Sequence, residues 1–381
     1  MCLLHDTFEM RLSCFMFLVV AAALWPSARG NAPTNVSLPD LANSYWSDSG
    51  LKMPSKELVD AVNRAKLPLL DAFGHRREIV LMSIGSEFAF QRLFDVFLAN
   101  LQNISFTGAN GIQDNLARHI VVNVMTPGSA EKCAGLAAKY GCYCVSFAND
   151  AFTLGNFHVF SNDFYGIGFT KTATILDGLT LGVDVLFLDA DQVFFRNPLP
   201  YLLAREADIL VSGDCHNHGD ATPMEKLPPI NNNIGFVYFR PTAMATRAIY
   251  NWAMWLRNIA QRGEKPWDQT TFAGAIEWVS GEVSVRHLSM AMLHSDLFPY
   301  YCMGPCGCDL RGVPYFHNGR LPQRIPGTDC DPDLMREWYN YHMPCAGDMN
   351  MKSDLMEEYV RMYLRVIGPI NSRSVPMTVL S

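Results

Sequence analysis

VLFLDADQVFFRNPLP, Val185–Pro200, sets four apolar residues directly before two aspartates one residue apart and then returns to apolar residues. An unpaired buried carboxylate costs several kcal/mol, so such a pair either reaches a cleft or holds a cation. The run Val185–Leu188 reads as a buried strand, and Asp189 and Asp191 fall at its carboxyl end. Working outward, the same signature recurs. Glu78–Ile84, His119–Met125, Cys142–Phe147 and Val183–Leu188 are strand-like. Helical spacing fills Phe88–Leu101, Ser129–Tyr140 and Thr170–Leu181 between them. Alternating apolar strands and helices predict an α/β fold, Rossmann-like, with a mostly parallel sheet covered on both faces. Ligands in such sheets bind beyond the carboxyl ends of the strands, where the two aspartates lie.

Later segments extend the pattern. Ala207–Ser212, Ile234–Arg240 and Val283–Leu288 are strand-like, Thr242–Arg262 is a long helix, and Asp354–Val366 a closing one. Residues 299–344 are rich in Pro, Gly and Cys and read as a disulfide-tied loop region. Upstream, the turn-rich NAPTNVSLPDLANSYWSDSG reads as stem or linker, and SKELVDAVNRAKLPLLDAF has helical spacing. The resulting division is 1–30 for targeting, 31–77 stem or linker, 78–366 catalytic-type domain and 367–381 tail.

Composition bounds the partners. The 381 residues are 49% hydrophobic and 18% charged, the balance of a chain with a large core. A net charge of −7 argues against nucleic acid as a partner. Leu12–Trp25, flanked by Arg11 and by Pro26–Arg29, has the length of a signal-peptide core or short signal anchor; a buried N-terminal helix is the alternative. Membrane contact is expected only through this segment. Eleven cysteines, among them Cys142, Cys144, Cys302, Cys306, Cys308, Cys330 and Cys345, fit an oxidising lumen and disulfides, with an odd one left over. A zinc reading of Cys302, Cys306, Cys308 and Cys330 lacks the usual knuckles. The acceptors Asn35-Val-Ser37 and Asn103-Ile-Ser105 fit the same compartment, the secretory pathway and its Golgi lumen.

Asp-X-Asp after a strand suits a hard divalent cation, Mn²⁺ or Mg²⁺, that also bridges phosphate oxygens. Haloacid-dehalogenase-like phosphohydrolases use a similar string, but place it near the domain start and need a downstream acidic pair that Gly213-Asp214 does not supply with convincing spacing. Four ordered segments carry a more specific resemblance. They are Lys171-x5-Asp177-Gly178 running into Asp189-Ala190-Asp191, then Asn231-Asn232-Asn233-Ile234-Gly235, Trp267-Asp268-Gln269, and His342-x4-Gly347-x4-Lys352. Together they resemble the nucleotide-diphospho-sugar transferase domain of glycosyltransferase family 77, of GT-A fold, over about residues 78–366. Met343-Pro344-Cys345 departs from the family pattern, which has a small residue and Asn there.

The resemblance implies a glycosyltransferase with a nucleotide-sugar donor, UDP-linked, a glycan or glycoprotein acceptor, and retention of configuration. It implies Asp189, Asp191 and His342 as metal ligands, His342 favouring Mn²⁺. Lys171, Asp189, Asn233, Gly235, Gly347 and Lys352 would bind the nucleotide-sugar, and Asp268 and Gln269 would be catalytic. Blander readings stand beside these: Asp268 as a helix cap, Lys171 as a helix-face lysine, Asn233-Ile234-Gly235 as a turn entering a strand, His342 as a loop histidine. A non-catalytic relative that binds nucleotide-sugar or glycan as a partner subunit is the other functional expectation.

Overall fold

The computed structural model describes residues 37–45, 53–109, 111–126, 128–146, 161–213, 222–223, 232–282, 288–300, 330–344 and 346–380. The apolar N-terminal segment, Asn35, Asn231, most of the expected strand 283–288, and Cys302, Cys306, Cys308 and Cys345 lie outside them.

In chain order the elements begin with helices α1 (Leu38–Tyr45) and α2 (Lys56–Ala65) and strands β1 (Leu67–Leu70) and β2 (Arg76–Gly85). Next come α3 (Leu93–Gln102), the hairpin β3 (Ser105–Thr107) and β4 (Gln113–Asn115), β5 (Ile120–Val124), α4 (Ser129–Tyr140) and β6 (Tyr143–Ser146). Then follow α5 (Asn162–Thr180), β7 (Asp184–Leu188), β8 (Gln192–Phe194), α6 (Leu199–Leu203), β9 (Ile209–Gly213), β10 (Thr222–Pro223) and β11 (Asn232–Phe239). The chain closes with α7 (Ala243–Gln261), α8 (Asp268–Glu282), β12 (Met290–Met292), α9 (Pro332–Glu337), β13 (Asn340–His342) and α10 (Met349–Val366).

Nine strands form one sheet in the order β10-β12-β9-β11-β7-β2-β5-β6, with β1 added beside β2. From β7 to β6 the strands are parallel. β11 runs antiparallel to both β7 and β9, so the sheet is mixed but mostly parallel, as expected, with β11 reversed within it. Continuous apolar residues report burial on both faces and carry no information about strand direction. The architecture is GT-A-like.

Alternation along each strand divides the core in two. Ile79, Leu81, Leu186, Leu188, Phe236 and Tyr238 enter one cluster with α3 and α10. Val80, Met82, Val185, Phe187, Val237 and Phe239 enter the other with α5, α7 and α8. A fully buried side chain of these sizes contributes roughly 1.5–3 kcal/mol. Helix α5 lies very close to the sheet because Gly178 has no Cβ; one built there would sit 2.5 Å from Val185 Cγ2. That close packing fixes the height of Lys171, two turns earlier on the same helix.

The stretch 31–77, expected as stem or linker, is in large part built into the body. Leu38 and Ala42, one turn apart on α1, are buried in the second cluster, and Ser37 Oγ accepts from Asp40 N at the helix start. The helical spacing read over 55–73 ends at Ala65, because Pro68 holds Leu67 in an extended conformation and the chain continues as β1. The tail 367–380 is tied in as well: Val379 bridges to Leu69, and Leu380 N donates to Pro68 O.

Cys133 on α4 and Cys144 on β6 form a disulfide, and Cys330 is disulfide-bonded too, against its zinc reading. Cys142 is the odd cysteine among the described residues, buried, its thiol pushed up to about 12 by burial. Asn103 is exposed, as a glycan acceptor requires. No helix among the described residues is long and apolar enough to cross a membrane.

Asp177, on α5, carries a cost that pH reveals. Burial raises its carboxyl from 3.8 to about 7 with no neighbouring charge to offset it. A raised carboxyl favours folding while protonated, so stability is fullest below pH ~4 and falls as pH rises through about 7. Asp177→Asn is expected to remove this dependence, leaving the protein about 1–3 kcal/mol more stable than wild type at pH 8 in urea unfolding, with the difference shrinking through pH 5 and gone near pH ~3.

Candidate active site

The site forms where the chain leaves the sheet after Leu188. Asp189 N still donates to Gly235 O on β11, at 2.7 Å. The next residues turn away, and β8 pairs instead with β13, His342 opposite Gln192. Met343 N donates to Asp191 O at 2.8 Å, closing the ribbon beside the second aspartate. A histidine 151 residues downstream is thereby placed over the Asp-X-Asp turn.

Gln192 locks this corner, and the sequence reading assigned it nothing there. Fully buried, its amide donates to Asp189 O at 2.7 Å and to Gly235 O at 3.0 Å, and its Oε1 accepts from Asn340 Nδ2 at 2.6 Å. A polar side chain at the head of the apolar run VFF was the available signal, since a buried amide must find partners.

Gly235 makes the cluster sterically possible. A Cβ there would lie 2.1 Å from His342 Cε1, 2.7 Å from its Nε2 and 2.8 Å from Asp189 Oδ2. Only a residue without a side chain lets strand, imidazole and carboxylate meet. Asn233, expected at the sugar, supports that glycine: its Oδ1 accepts from Gly235 N at 3.0 Å. Ser212 Oγ donates to Asn233 O and Phe236 O across the irregular β9–β11 register, so Asn233 lies within the strand at a local irregularity rather than in a turn before it.

Asp189, Asp191 and His342 bring one ligand atom each to within 4.8 Å of one another. Two ligands across a small divalent ion stand roughly 4 Å apart, so the three need little movement to hold one. The fit is supported by His342, whose Nε2 lies 3.0 Å from Asp191 Oδ1 while its buried Nδ1 finds no partner among the described residues. Two carboxylates and an imidazole are a donor set for Mn²⁺. Among the described residues the group beside the two aspartates is a histidine, not the acidic pair that the phosphohydrolase reading needs; Asp214 lies outside them.

Two lysines complete the electrostatics. Lys352, on the first turn of α10, places Nζ 2.6 Å from Asp191 Oδ2. Burial works to raise the Asp191 carboxyl, but Lys352 and His342 outweigh it and hold it far below the usual carboxylate range. Lys171 Nζ stands 3.1 Å from Asp189 Oδ1, 3.6 Å from Asp268 Oδ2 and 5.3 Å over the Phe187 ring. Burial would lower its pKa, but the two carboxylates push it up. Lys171 is thus no helix-face lysine.

Asp268 opens α8 and accepts from Gln269 N at 2.9 Å, so it serves the helix start and the cluster together. Burial raises its carboxyl; Lys171 opposes this and Asp189 adds to it. The approach of Asp268 to α5 depends on Gly168, whose Cβ would come 2.9 Å from Asp268 Cβ. The two glycines of Gly166-Ile167-Gly168, inside a helical pattern, were the unused signal. Gln269 reaches the cluster through its backbone N–H. Gly347 stands apart and shapes the loop into α10: its φ of +102° lies in the left-handed region, and a Cβ would meet Met351 Sδ at 2.7 Å.

Three potential cation ligands with flanking lysines thus stand at the carboxyl edge of a GT-A-like sheet. The chain belongs to the nucleotide-diphospho-sugar transferase family, whose model matches residues 115–307. That span holds Lys171, Asp189, Asp191, Asn233, Gly235, Asp268 and Gln269; it stops short of Gly347 and of His342 and Lys352, the two that the fold brings to the cluster. "Arabinosyltransferase XEG113" of Arabidopsis thaliana is 32% identical over 117 residues, 29% of this chain and 17% of that protein. The match thus spans less than a fifth of that relative's length. Mouse xyloside xylosyltransferase 1 shares 15% identity over 70% of this chain and 98% of that one, with a TM-score of 0.37. The galactosyltransferase LgtC, solved with donor and acceptor sugar analogs, shares 12% over 75% and 95%, with a TM-score of 0.39. At these scores the structural likenesses carry no argument.

Gly235→Ala tests the steric account. It should weaken Mn²⁺ binding by about 10–100-fold, as loss of ligand orientation does, with the circular dichroism spectrum unchanged; calorimetric titration measures it.

Proposed function

We propose that the protein is a metal-dependent glycosyltransferase that moves a sugar from a nucleotide-diphosphate donor, a UDP-sugar, to a glycan or glycoprotein acceptor with retention of configuration. The observation that carries the reading is the convergence of Asp189, Asp191 and His342 beside Gly235, with Lys352 on the same carboxylate, in a chain of the nucleotide-diphospho-sugar transferase family. The four ordered motifs support family 77, whose members transfer arabinose, xylose or galactose.

Asp189, Asp191 and His342 would hold the cation. When bound, Mn²⁺ or Mg²⁺ neutralises charge developing on the departing diphosphate. Lys352 brings a second positive charge to the same leaving group. Lys171 holds Asp189 and Asp268 in place from a buried position. Asp268, at the start of α8, orients the sugar or the acceptor hydroxyl. The departing phosphate accepts the acceptor's proton, so the retaining reaction needs no dedicated base. Asn233 and Gln192 keep the backbone of Gly235 and Asp189 fixed while this happens. The Cys133–Cys144 disulfide supports a secretory lumen, the Golgi, as the place of action.

The test is donor hydrolysis by the full chain with its disulfides intact, against a panel of nucleotide-sugars with Mn²⁺, with and without EDTA. One donor should release its nucleoside diphosphate in a metal-dependent way, and Asp191→Ala should lower the rate at least about a hundredfold. A folded, metal-loaded protein that binds UDP yet hydrolyses no donor, with or without candidate acceptors, would instead support the partner-subunit reading.

A further inference from the structure

Both oxygens of Asp191 are engaged by the protein itself: Oδ1 by His342 Nε2 at 3.0 Å and Oδ2 by Lys352 Nζ at 2.6 Å. A divalent cation on the Asp189–Asp191–His342 cluster would therefore meet an ammonium already seated on one of its own ligands. Two positive charges a few ångströms apart repel strongly in a site this buried. One must move.

The packing distinguishes the two ammonium groups. Lys171 is enclosed, its side chain 6% exposed, held by two carboxylates and the Phe187 ring. Among the described residues Lys352 Nζ pairs with Asp191, and it sits on a flexible stem at the head of α10. The helix beneath it stays fixed, since Asp348 caps its start and Arg92 pairs with Asp354 and Glu357 on its next turns. The side chain swings while its root does not.

We infer that Lys352 is a resident counter-ion: it neutralises Asp191 in the cation-free protein and is released toward the diphosphate when the cation loads. This rests on the metal-dependent transferase reading and adds a coupling to it. Three carboxylates, Asp189, Asp191 and Asp268, face two ammonium groups, so the resting cluster is one negative charge in excess. Loading a divalent cation reverses that sign and frees an ammonium, which raises affinity for a diphosphate. By linkage the diphosphate raises affinity for the cation by the same factor. The device keeps the Asp-X-Asp turn neutralised in the resting state and reserves tight cation binding for the moment a donor arrives.

The experiment is Mn²⁺ binding to the full chain, read from the electron paramagnetic resonance signal of free Mn²⁺, with and without UDP. Wild type should bind Mn²⁺ more tightly with UDP. Lys352→Met should bind Mn²⁺ about tenfold more tightly than wild type without UDP, and should lose most of the enhancement that UDP gives. Lys352→Arg, which keeps the charge, should resemble wild type. Wild type that binds Mn²⁺ through Asp191, beside a folded Lys352→Met with equal or weaker affinity, overturns the counter-ion role alone. If Asp191→Ala leaves Mn²⁺ binding unchanged, the metal reading of the cluster falls and takes this inference with it.

Discussion

No side chain larger than a hydrogen fits at residue 235, and the arrangement of the carboxyl edge depends on that. β11 must run beside β7 to bury Phe236 and Tyr238 against one layer and Val237 and Phe239 against the other. The same strand must let Asp189 and His342 meet over its backbone. A glycine held by Asn233 and Gln192 satisfies both demands: packing continues below it, and a polar cluster opens above it. The helices repeat this solution. Gly178 draws α5 onto the sheet, and Gly168 lets α8 bring Asp268 to Lys171. Three missing Cβ atoms determine how closely strand, helix and site approach.

Around that core of contacts the electrostatics follow from burial. Carboxylates at the end of an apolar strand leave bulk water, and each must find a compensating group. Lys171 serves two of them from beneath and Lys352 serves the third from α10. Asp191 is ionised far into acid because its neighbours are cationic, and Asp268 is harder to ionise because burial prevails over Lys171. Carboxylates of one cluster are thus pushed in opposite directions, Asp191 down by its cationic partners and Asp268 up by burial.

Much of this was legible in the sequence, for identifiable reasons. Strands such as Val185–Leu188 and the helix Ser129–Tyr140 are written in residue type and period, and the structure reproduces them closely. Asp189, Asp191 and His342 come together in the reading because the family resemblance carried by ordered short motifs implies them as one ligand set. Strand direction was not legible in β11, since burial on both faces gives the same apolar run either way. Nor was the packing of α1 onto the body, where polar, turn-rich composition hid Leu38 and Ala42 at helical spacing. Gln192, Gly168 and the pairing of Lys352 with Asp191 depend on contacts between residues far apart in the chain, which single-sequence periodicity does not encode.

That long-range pairing also sets an order in time. The ribosome delivers Asp191 long before its partners: the imidazole follows 151 residues later and the α10 ammonium 161 residues later. β8 has no strand to pair with until β13 emerges, so the corner bearing the carboxylates stays unfinished while most of the domain is already made. A nascent chain therefore carries a sheet but no competent centre, and competence arrives only with the last elements. A stop codon or frameshift ahead of α10 would remove both the Lys352 ammonium and the helix that packs Met356, Tyr359 and Tyr363 into one layer of the core.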